Sequence, residues 1–479
     1  MRRSFPSVLG LYTALTLACA VTSACRAPSI EAIAQKASPK DIAKSSPPPT
    51  TSGNLNRNAP AKAGVIYQAF NMRFRDIKAQ LPELQNLGYT YIQVSPPQKS
   101  NPSPEWWARY QPIDYTVIDS PLGTEKELKE LINAAHSQKM KIIIDVVLNH
   151  MANYGDYTKI LKYPRFSPQD FHPKSCIDYN NRLSVTKGWI NCDLPDLKTD
   201  SPHVRQEAKN YLKKLLALGA DGFRFDAAKH IEPDFFREVL QVVPSDKFVY
   251  GEVIGQTLQE SNEYTGIFSV TDFHLVSTMS NAFSYGGDLR SLIDPAASGK
   301  ALPGVRAVTF AHNHDIAKGQ IGYKLPTPED TKLANAYILA RQEGFPIVYM
   351  DDAKDFITKS GVLFHQKLMG ESQYFRNGKE IAPGADNPNT LFIERGNKGL
   401  AIINKAGEYF DVKAAKMPGL QVGCYKELRY NFTIAVGKGG DGQNYITQWG
   451  TKQRGGIQIG PRDALFFVQT SPTECKLNQ

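Results

Sequence analysis

The chain has 479 residues, of which 41% are hydrophobic, 22% charged and 10% aromatic. This length is typical of two or three domains, and the composition excludes a fully disordered chain, a coiled coil and a polytopic membrane protein. The net charge of +9 is concentrated at the start, because residues 1–62 hold eight basic and two acidic side chains. We expect no nucleic-acid partner, since one would require a basic face on a folded domain.

The first 25 residues have the pattern of an export signal. Two arginines precede the uncharged apolar run of residues 8–20, and small residues follow up to Cys25. This pattern predicts a signal peptide over residues 1–25 and an exported protein that is secreted, periplasmic or lipid-anchored in a bacterium. Cys25 follows Thr-Ser-Ala as in a lipoprotein cleavage box, but Thr22 replaces the usual leucine, so a lipid anchor at Cys25 stays open. Residues 26–62 are rich in Pro, Ser, Thr, Ala and Lys and predict a disordered linker.

Four cysteines lie beyond the signal region, at positions 176, 192, 424 and 475. No CxxC pair occurs, so a thiolate zinc site or a thioredoxin motif is not expected. An even number of cysteines in an exported chain favours disulfides over buried free thiols.

Eight short apolar runs follow the linker, and helical patterns separate them. Buried runs of this kind are expected of parallel strands with both faces covered. The runs are Gly64–Phe70, Tyr89–Val94, Lys141–Val147, Gly222–Phe225, Phe248–Val253, Ser269–Phe273, Ala307–Phe310 and Phe345–Tyr349. Apolar residues at helical spacing predict helices over Ile77–Leu87, Glu125–Gln138 and Val204–Leu218. The alternation predicts an α/β fold, a (β/α)8 TIM barrel.

Two regions depart from this alternation. Residues 151–203 are rich in Tyr, Asn, Asp and Pro and predict a subdomain inserted after the third strand. The barrel is therefore assigned to residues 63–150 and 204–370. Residues 371–479 contain short runs that predict a C-terminal antiparallel β-sandwich. These runs are Thr390–Glu394, Gly399–Asn404, Tyr430–Val436 and Ala464–Val468.

Polar residues collect at the ends of four predicted strands. In a barrel, chemistry takes place at the C-terminal ends of the strands, so these tails are expected to converge on one rim. The tails are DVVLNH at 145–150, GFRFDAAKH at 222–230, GEVI at 251–254 and FAHNHD at 310–315. Three carboxylates facing one cleft favour glycoside hydrolysis, which requires one ionised carboxylate and one protonated carboxylic acid across the glycosidic bond.

These four tails resemble the signature segments of the α-amylase family of glycoside hydrolases, in that family's order. The likeness covers about residues 64–470 and is nearest to animal-type α-amylases, through WWARYQPIDY at 106–115, SCIDYNN at 175–181 and INCDLPDL at 190–197. It implies a monomeric, retaining endo-hydrolase of α-1,4-glucosidic bonds in starch, glycogen and related maltooligosaccharides, with an α-glucan as its partner. One alternative is a transglycosylating or maltooligosaccharide-specific relative. Another is a non-catalytic glycan-binding protein, which predicts the loss of a carboxylate.

The resemblance also implies catalytic roles. Asp226 matches the nucleophile, Glu252 the general acid/base, and Asp315 the third carboxylate, which holds sugar hydroxyls. Arg224 would keep Asp226 ionised, because it points to the same face of its strand. The implied substrate contacts are Trp106, Trp107, Tyr110, Gln111, His150, Arg224, Lys229, His230 and His314.

A calcium ion is implied in the same way. Asn149 and Asp196 match its side-chain oxygen ligands, and the backbone carbonyls of Ile190 and His230 match the remaining protein ligands. The ion would hold the insert against the barrel. The insert itself matches a segment that a disulfide closes in the animal-type enzymes. The resemblance therefore implies a disulfide between Cys176 and Cys192.

A chloride ion beside the acid/base stays open. Animal-type enzymes often bind it through two basic residues and an asparagine, and Arg224 and Asn313 match two of these. The third contact would fall near Ala353 or Lys354, where the match is loose.

Overall fold

The computed structural model describes residues 64–376, 378–451 and 455–475, and its central feature is a closed barrel of eight parallel strands. The strands are β1 (Val65–Ala69), β2 (Tyr89–Val94), β7 (Lys141–Val147), β8 (Gly222–Asp226), β9 (Phe248–Gly251), β10 (Ser269–Thr271), β11 (Ala307–Thr309) and β12 (Phe345–Tyr349). Each strand pairs with the next one in this order, and β12 closes on β1. The predicted barrel is confirmed. The predicted signal peptide, the linker and Cys25 lie outside the described residues.

Four predicted strands extend too far at their C-terminal ends. The predicted runs continued to Phe70, Val253, Phe273 and Phe310, whereas β1, β9, β10 and β11 end one, two, two and one residues earlier. The chain leaves the sheet at these points to present polar groups at the rim. Asp272, for example, caps the helix that begins at Phe273, because its carboxylate accepts the Leu275 amide at 2.9 Å.

Helices cover the outside of the barrel. The three predicted helices are present, as Phe74–Leu87, Glu125–Ser137 and Pro202–Leu218, and each buries an apolar face against the strands. The helices are α1 (Phe74–Leu87), α2 (Glu125–Ser137), α3 (Gly155–Ile160), α4 (Arg182–Lys187), α5 (Pro202–Leu218), α6 (Pro233–Val239), α7 (Leu258–Thr265), α8 (Phe273–Phe283), α9 (His314–Ala317), α10 (Pro328–Ala340), α11 (Phe356–Lys367) and α12 (Gly378–Ile381). In the part of the chain that the structure describes, no helix is both long and apolar enough to cross a membrane.

The segment between β2 and α2 and the region after β7 form irregular structure above the barrel rim. The first contains four very short strands, β3 (Lys99–Ser100), β4 (Pro112–Asp114), β5 (Asp119–Ser120) and β6 (Gly123–Thr124). The second contains α3 and α4, and the predicted disulfide between Cys176 and Cys192 is formed, with the Cα atoms 4.5 Å apart. An isolated antiparallel bridge between His150 and Asp196 joins this region to the end of β7.

The C-terminal region forms two antiparallel sheets that share an apolar core, which confirms the predicted β-sandwich. Its strands are β13 (Gln373–Arg376), β14 (Thr390–Arg395), β15 (Gly399–Asn404), β16 (Phe410–Val412), β17 (Gly423–Glu427), β18 (Thr433–Lys438), β19 (Asn444–Trp449), β20 (Ile457–Ile459) and β21 (Asp463–Thr470). The strand predicted to begin at Tyr430 begins at Thr433, because Asn431 has φ 60° and turns the chain. Cys424 and Cys475 also form a disulfide.

Candidate active site

The guanidinium of Arg224 contacts carboxyls that lie on or directly after three neighbouring barrel strands. Arg224 and Asp226 lie two residues apart on β8, so both side chains point into the barrel. Arg224 Nη1 donates to Asp226 Oδ1 at 2.7 Å and to Asp145 Oδ1, at the middle of β7, at 2.8 Å. Its Nη2 lies 2.6 Å from Glu252 Oε1, directly after β9. The structure therefore brings Asp226 and Glu252 together on one cation.

Three buried carboxyls and the partly buried Asp315 share this single positive charge. Burial raises the pKa of Asp226 to about 8 while the Arg224 guanidinium acts to lower it, and burial raises the pKa of Asp145 to about 6. Burial, and then the charge of Glu252, raise the pKa of Asp315 well above its usual range. Asp226 and Asp315 therefore both tend to retain protons, and the Arg224 guanidinium opposes this directly at Asp226, which it contacts at 2.7 Å.

His314 is held as a neutral imidazole beside Asp315. Burial lowers the pKa of His314 well below its usual range, and the Arg224 charge lowers it further. The Gln68 side chain lies 3.1 Å from His314 Nδ1; with the amide donating, the ring proton is on Nε2. That nitrogen lies 3.4 Å from Asp315 Oδ1. A neutral imidazole and the Asp315 carboxyl therefore lie side by side in the cleft.

His150 and Tyr110 form the neighbouring wall. His150 Nε2 lies 2.9 Å from the Tyr110 carbonyl and donates to it, because a carbonyl oxygen can only accept. Burial lowers the His150 pKa to about 4 and keeps the ring neutral. The Tyr110 hydroxyl donates to Asp145 at 3.0 Å, and its ring stacks on His314 with centroids 5.4 Å apart. The sequence-predicted residues His150, Tyr110 and His314 therefore lie together around the carboxyls.

The two adjacent tryptophans face different environments. Trp106 is partly buried, and the centroid of its ring lies 5.5 Å from that of Phe70. Trp107, in contrast, is 39% exposed. Gln111 follows this segment, and its side-chain oxygen accepts from Asn101 at 2.9 Å. Trp107 thus offers an open ring face at the rim, and Gln111 is already engaged within the loop.

Lys229 and His230 lie to one side of the carboxyl cluster. The Lys229 ammonium donates to the Ile254 carbonyl at 3.0 Å and lies 5.5 Å from the centre of the Tyr179 ring. The His230 ring bonds to the Val185 carbonyl at 3.0 Å. Lys229 borders a cavity of about 250 Å³ between the inserted region and α7.

Asn149 and Asp196 meet where the insert joins β7. Each has one buried side-chain oxygen, Oδ1, without a hydrogen-bond partner among the described residues. The second oxygen of Asp196 lies 2.7 Å from His172 Nδ1, and the Leu197 amide bonds to the Asn149 carbonyl at 2.9 Å. Leaving two buried oxygens at one junction without a hydrogen-bond partner costs free energy of folding. Such oxygens fit a hard cation such as calcium.

The two carbonyls assigned to the same ion differ in their surroundings. The Ile190 carbonyl already accepts the amides of Asp193 and Leu194, at 3.2 and 3.1 Å. The carbonyls on either side of His230 both lie within reach of the Tyr264 hydroxyl, at 3.2 and 2.7 Å. Within the described ranges, no group of three or more His, Cys, Asp or Glu side chains is arranged to hold a metal. An ion here would therefore depend on amide and carbonyl oxygens as well as Asp196.

The residues near the acid/base do not fit a chloride site with two cations. Arg224 and Asn313 border a cavity of about 10 Å³, as that hypothesis requires. However, the Lys354 side chain is 80% exposed and pairs with Asp351 at 3.4 Å, and Ala353 carries no charge. The Arg224 guanidinium already forms ion pairs with carboxylates.

Sequence reasoning missed the role of Asp145 and of a second group of polar residues behind Arg224. Asp145 opens the DVVLNH segment, so the signal was present, but it was given no function. The Tyr250 hydroxyl donates to Gln93 Oε1 at 2.6 Å, and Gln93 Nε2 lies 3.5 Å from Asp145 Oδ2. Neither Tyr250 nor Gln93 lies in a recognisable motif, so only the closed barrel shows their contact.

A (β/α)8 barrel with a carboxyl cluster around one arginine, at the C-terminal ends of its strands, is the architecture of a retaining-type or inverting-type glycoside hydrolase. A sequence model described as "Alpha amylase, catalytic domain" matches residues 74–358. An α-amylase of Aeromonas hydrophila is 34% identical over 397 residues, which cover 72% of this chain and 85% of that protein. An α-amylase of Phaedon cochleariae is 28% identical over 457 residues, covering 82% and 93%.

Solved structures show the same fold. α-Amylase I of Eisenia fetida superposes with a TM-score of 0.72 at 22% identity, and the match covers 86% of this chain and 98% of that one. The chain belongs to the α-amylase family of glycoside hydrolases. The family prediction and the prediction of an enzyme are thereby confirmed.

Proposed function

We propose that this hydrolase cleaves internal α-1,4-glucosidic bonds in starch, glycogen and related maltooligosaccharides with retention of configuration. The contact of one guanidinium with both Asp226 and Glu252 carries the proposal, because it sets a nucleophile and an acid/base side by side. The names of the relatives in Aeromonas hydrophila and Phaedon cochleariae support the substrate class.

The two carboxyls would act in sequence. Asp226 attacks the anomeric carbon in its ionised form, which the Arg224 guanidinium favours, and forms a glycosyl ester, while Glu252 gives its proton to the departing glycosidic oxygen. Glu252 then removes a proton from water, which attacks the same carbon and releases Asp226. Asp315 and His314 Nε2 would hold sugar hydroxyls, and the open face of Trp107 would support a sugar ring.

We propose a calcium ion at the junction of the insert and β7, with Asn149 and Asp196 as side-chain ligands. The ion would supply positive charge that neutralises buried Asp196 and satisfies the two unpartnered oxygens. It would fix the insert against the rim without entering the reaction.

We also propose that the protein is exported. The proposal is supported by the signal-peptide pattern of residues 1–25 and by two disulfides, which persist in oxidising compartments. Lipidation of Cys25 would show as a mass increase on that residue in membrane fractions.

Incubation with soluble starch tests the proposed reaction. Purified protein with calcium supplied should release mixed short oligosaccharides whose reducing ends first appear as the α-anomer, since two displacements restore the configuration. Asp226→Asn should keep the fold and abolish this release, because an amide cannot form the glycosyl ester. Products longer than the substrate would instead indicate transglycosylation, and the β-anomer would contradict retention.

A further inference from the structure

Arg182 connects the disulfide-closed insert to the loop that follows the candidate nucleophile. It is the first residue of α4, whose N-terminus is capped by the Asn181 side chain. All three of its guanidinium nitrogens donate: Nε to Glu263 at 3.1 Å, Nη1 to the Lys229 carbonyl at 3.0 Å, and Nη2 to the Tyr264 hydroxyl at 2.6 Å. The planar guanidinium therefore spans α4, α7 and the loop after β8.

The Lys229 carbonyl depends on this contact. The Tyr264 hydroxyl has a single proton and lies 2.7 Å from the Ile231 carbonyl but 3.2 Å from that of Lys229. The Tyr264 hydroxyl donates its proton to the closer carbonyl, that of Ile231, so Arg182 is the principal donor to the Lys229 carbonyl. Lys229 is three residues beyond Asp226, which makes its backbone position important for the geometry of the rim.

The Lys229 side chain lies in the cavity beside the cleft. Its ammonium is 3.4 Å from Glu260 and lies over the Tyr179 ring, and both of these residues also border the cavity. The ammonium is held between the Ile254 carbonyl and Glu260, so its position follows from where the backbone of residue 229 is fixed.

We propose that Arg182 is a positioning residue for substrate binding: it holds Lys229 and the walls of this cavity in place, so that the insert determines how tightly the enzyme binds α-glucan chains that reach into the cavity. The proposal rests on the proposed function, because it requires Lys229 to meet a sugar. It assigns no part in bond cleavage to Arg182.

Arg182→Lys tests the proposal, because lysine keeps the charge but lacks the planar fork that reaches three acceptors at once. The Michaelis constant for maltoheptaose should rise about 10-fold with kcat nearly unchanged, as expected when one charged hydrogen bond is lost. On this proposal a short aryl maltoside should lose far less binding, because fewer sugar units are available to extend into the cavity. The dissociation constant of maltoheptaose, measured by calorimetry in an Asp226→Asn background, should rise by the same factor.

Arg165→Lys is the matched control. Arg165 also lies in the insert and forms a two-bond pair with Glu207, at 2.7 Å for each bond, but does not border the cavity. It should leave the Michaelis constant for maltoheptaose unchanged. If Arg182→Lys lowers only the melting temperature, or weakens long and short substrates equally, Arg182 is merely structural and the inference is wrong. If the wild type fails to hydrolyse any α-glucan, the proposed function is wrong. The calorimetric dissociation constant of maltoheptaose would then still test the role of Arg182.

Discussion

At the scale of single residues, the charge balance of the cleft depends on contacts that Arg224 makes with carboxyls from three strands. Asp145 takes two of its hydrogen bonds, at 2.8 and 2.9 Å, and has no access to solvent. A fully buried carboxyl cannot contact substrate. Its place behind Arg224 indicates that it orients the guanidinium and adds negative charge near Asp226.

Asp145→Asn should move the acidic limb of the pH–activity profile to lower pH, by about one unit. Asp145 is one of the charges that raise the Asp226 pKa, after burial and Glu252, so removing it lowers that pKa. Asp226 must be ionised to attack, and a lower pKa keeps it ionised at lower pH. The measurement is kcat/KM against pH. Asp156→Asn, at an 87% exposed site, serves as the control, and a limb that stays or moves upward would count against this reading.

At the scale of elements, the insert is attached to the barrel at the end of β7. The backbone bridge between His150 and Asp196 and the Leu197 amide make the attachment, and the candidate calcium ligands lie at the same place. The bond between Cys176 and Cys192 closes the far part of the insert independently. Loss of an ion should therefore loosen this junction without unfolding the whole insert.

Chelation should lower both the melting temperature and the rate of starch hydrolysis. An ion that binds only the native state stabilises it by about 2.7 kcal/mol at a hundredfold excess over Kd. Asp196→Asn should reproduce much of this loss and make the variant insensitive to chelator, since the site loses its one charged ligand. Asp193→Asn, in the same insert, is the control. Unchanged melting and activity in chelator would rule out the ion while leaving the carboxyl assignments intact.

At the scale of the whole molecule, buried cations connect the C-terminal sandwich to the barrel. Lys405 follows β15, and its ammonium donates to the carbonyls of Ala282, Ser284 and Gly287 at the C-terminal end of α8. Burial lowers the pKa of Lys405. A cation at the carbonyl end of a helix satisfies acceptors that the helix itself cannot, so the two parts depend on each other for stability.

Lys405→Met should reduce the free energy of unfolding by about 2–3 kcal/mol, because it leaves three carbonyls without their donor. The Michaelis constant for starch should not change, since neither Lys405 nor the three carbonyls belong to the carboxyl cluster. Urea unfolding and steady-state kinetics measure the two effects. Lys413→Met, at a side chain that is 86% exposed, should change neither, and an equally stable Lys405 variant would show that the contact contributes little.

The sequence by itself determined the barrel, the sandwich and which polar segments follow the barrel strands. Buried strands need unbroken apolar runs, and strand alternation places Arg224 and Asp226 on one face, so both features are local and readable. Family resemblance supplied the roles of the carboxyls, which stay predictions. The residue at which each strand ends was harder to predict from the sequence, as Phe273 shows. The chain leaves the sheet where the next helix is capped, and hydropathy does not reveal that position.

Only the tertiary structure decided which charges meet. Arg224 contacts Asp145, 79 residues away in the chain, and the buried contact between Tyr250 and Gln93 spans 157 residues. Such pairs depend on closure of the barrel, and nothing in the local pattern of either partner encodes them. The same holds for Arg182, whose three acceptors lie on α7 and in the loop after β8. Hydrophobic patterning is a property of neighbouring residues, whereas the electrostatics of the cleft depend on distances that exist only once the chain has folded.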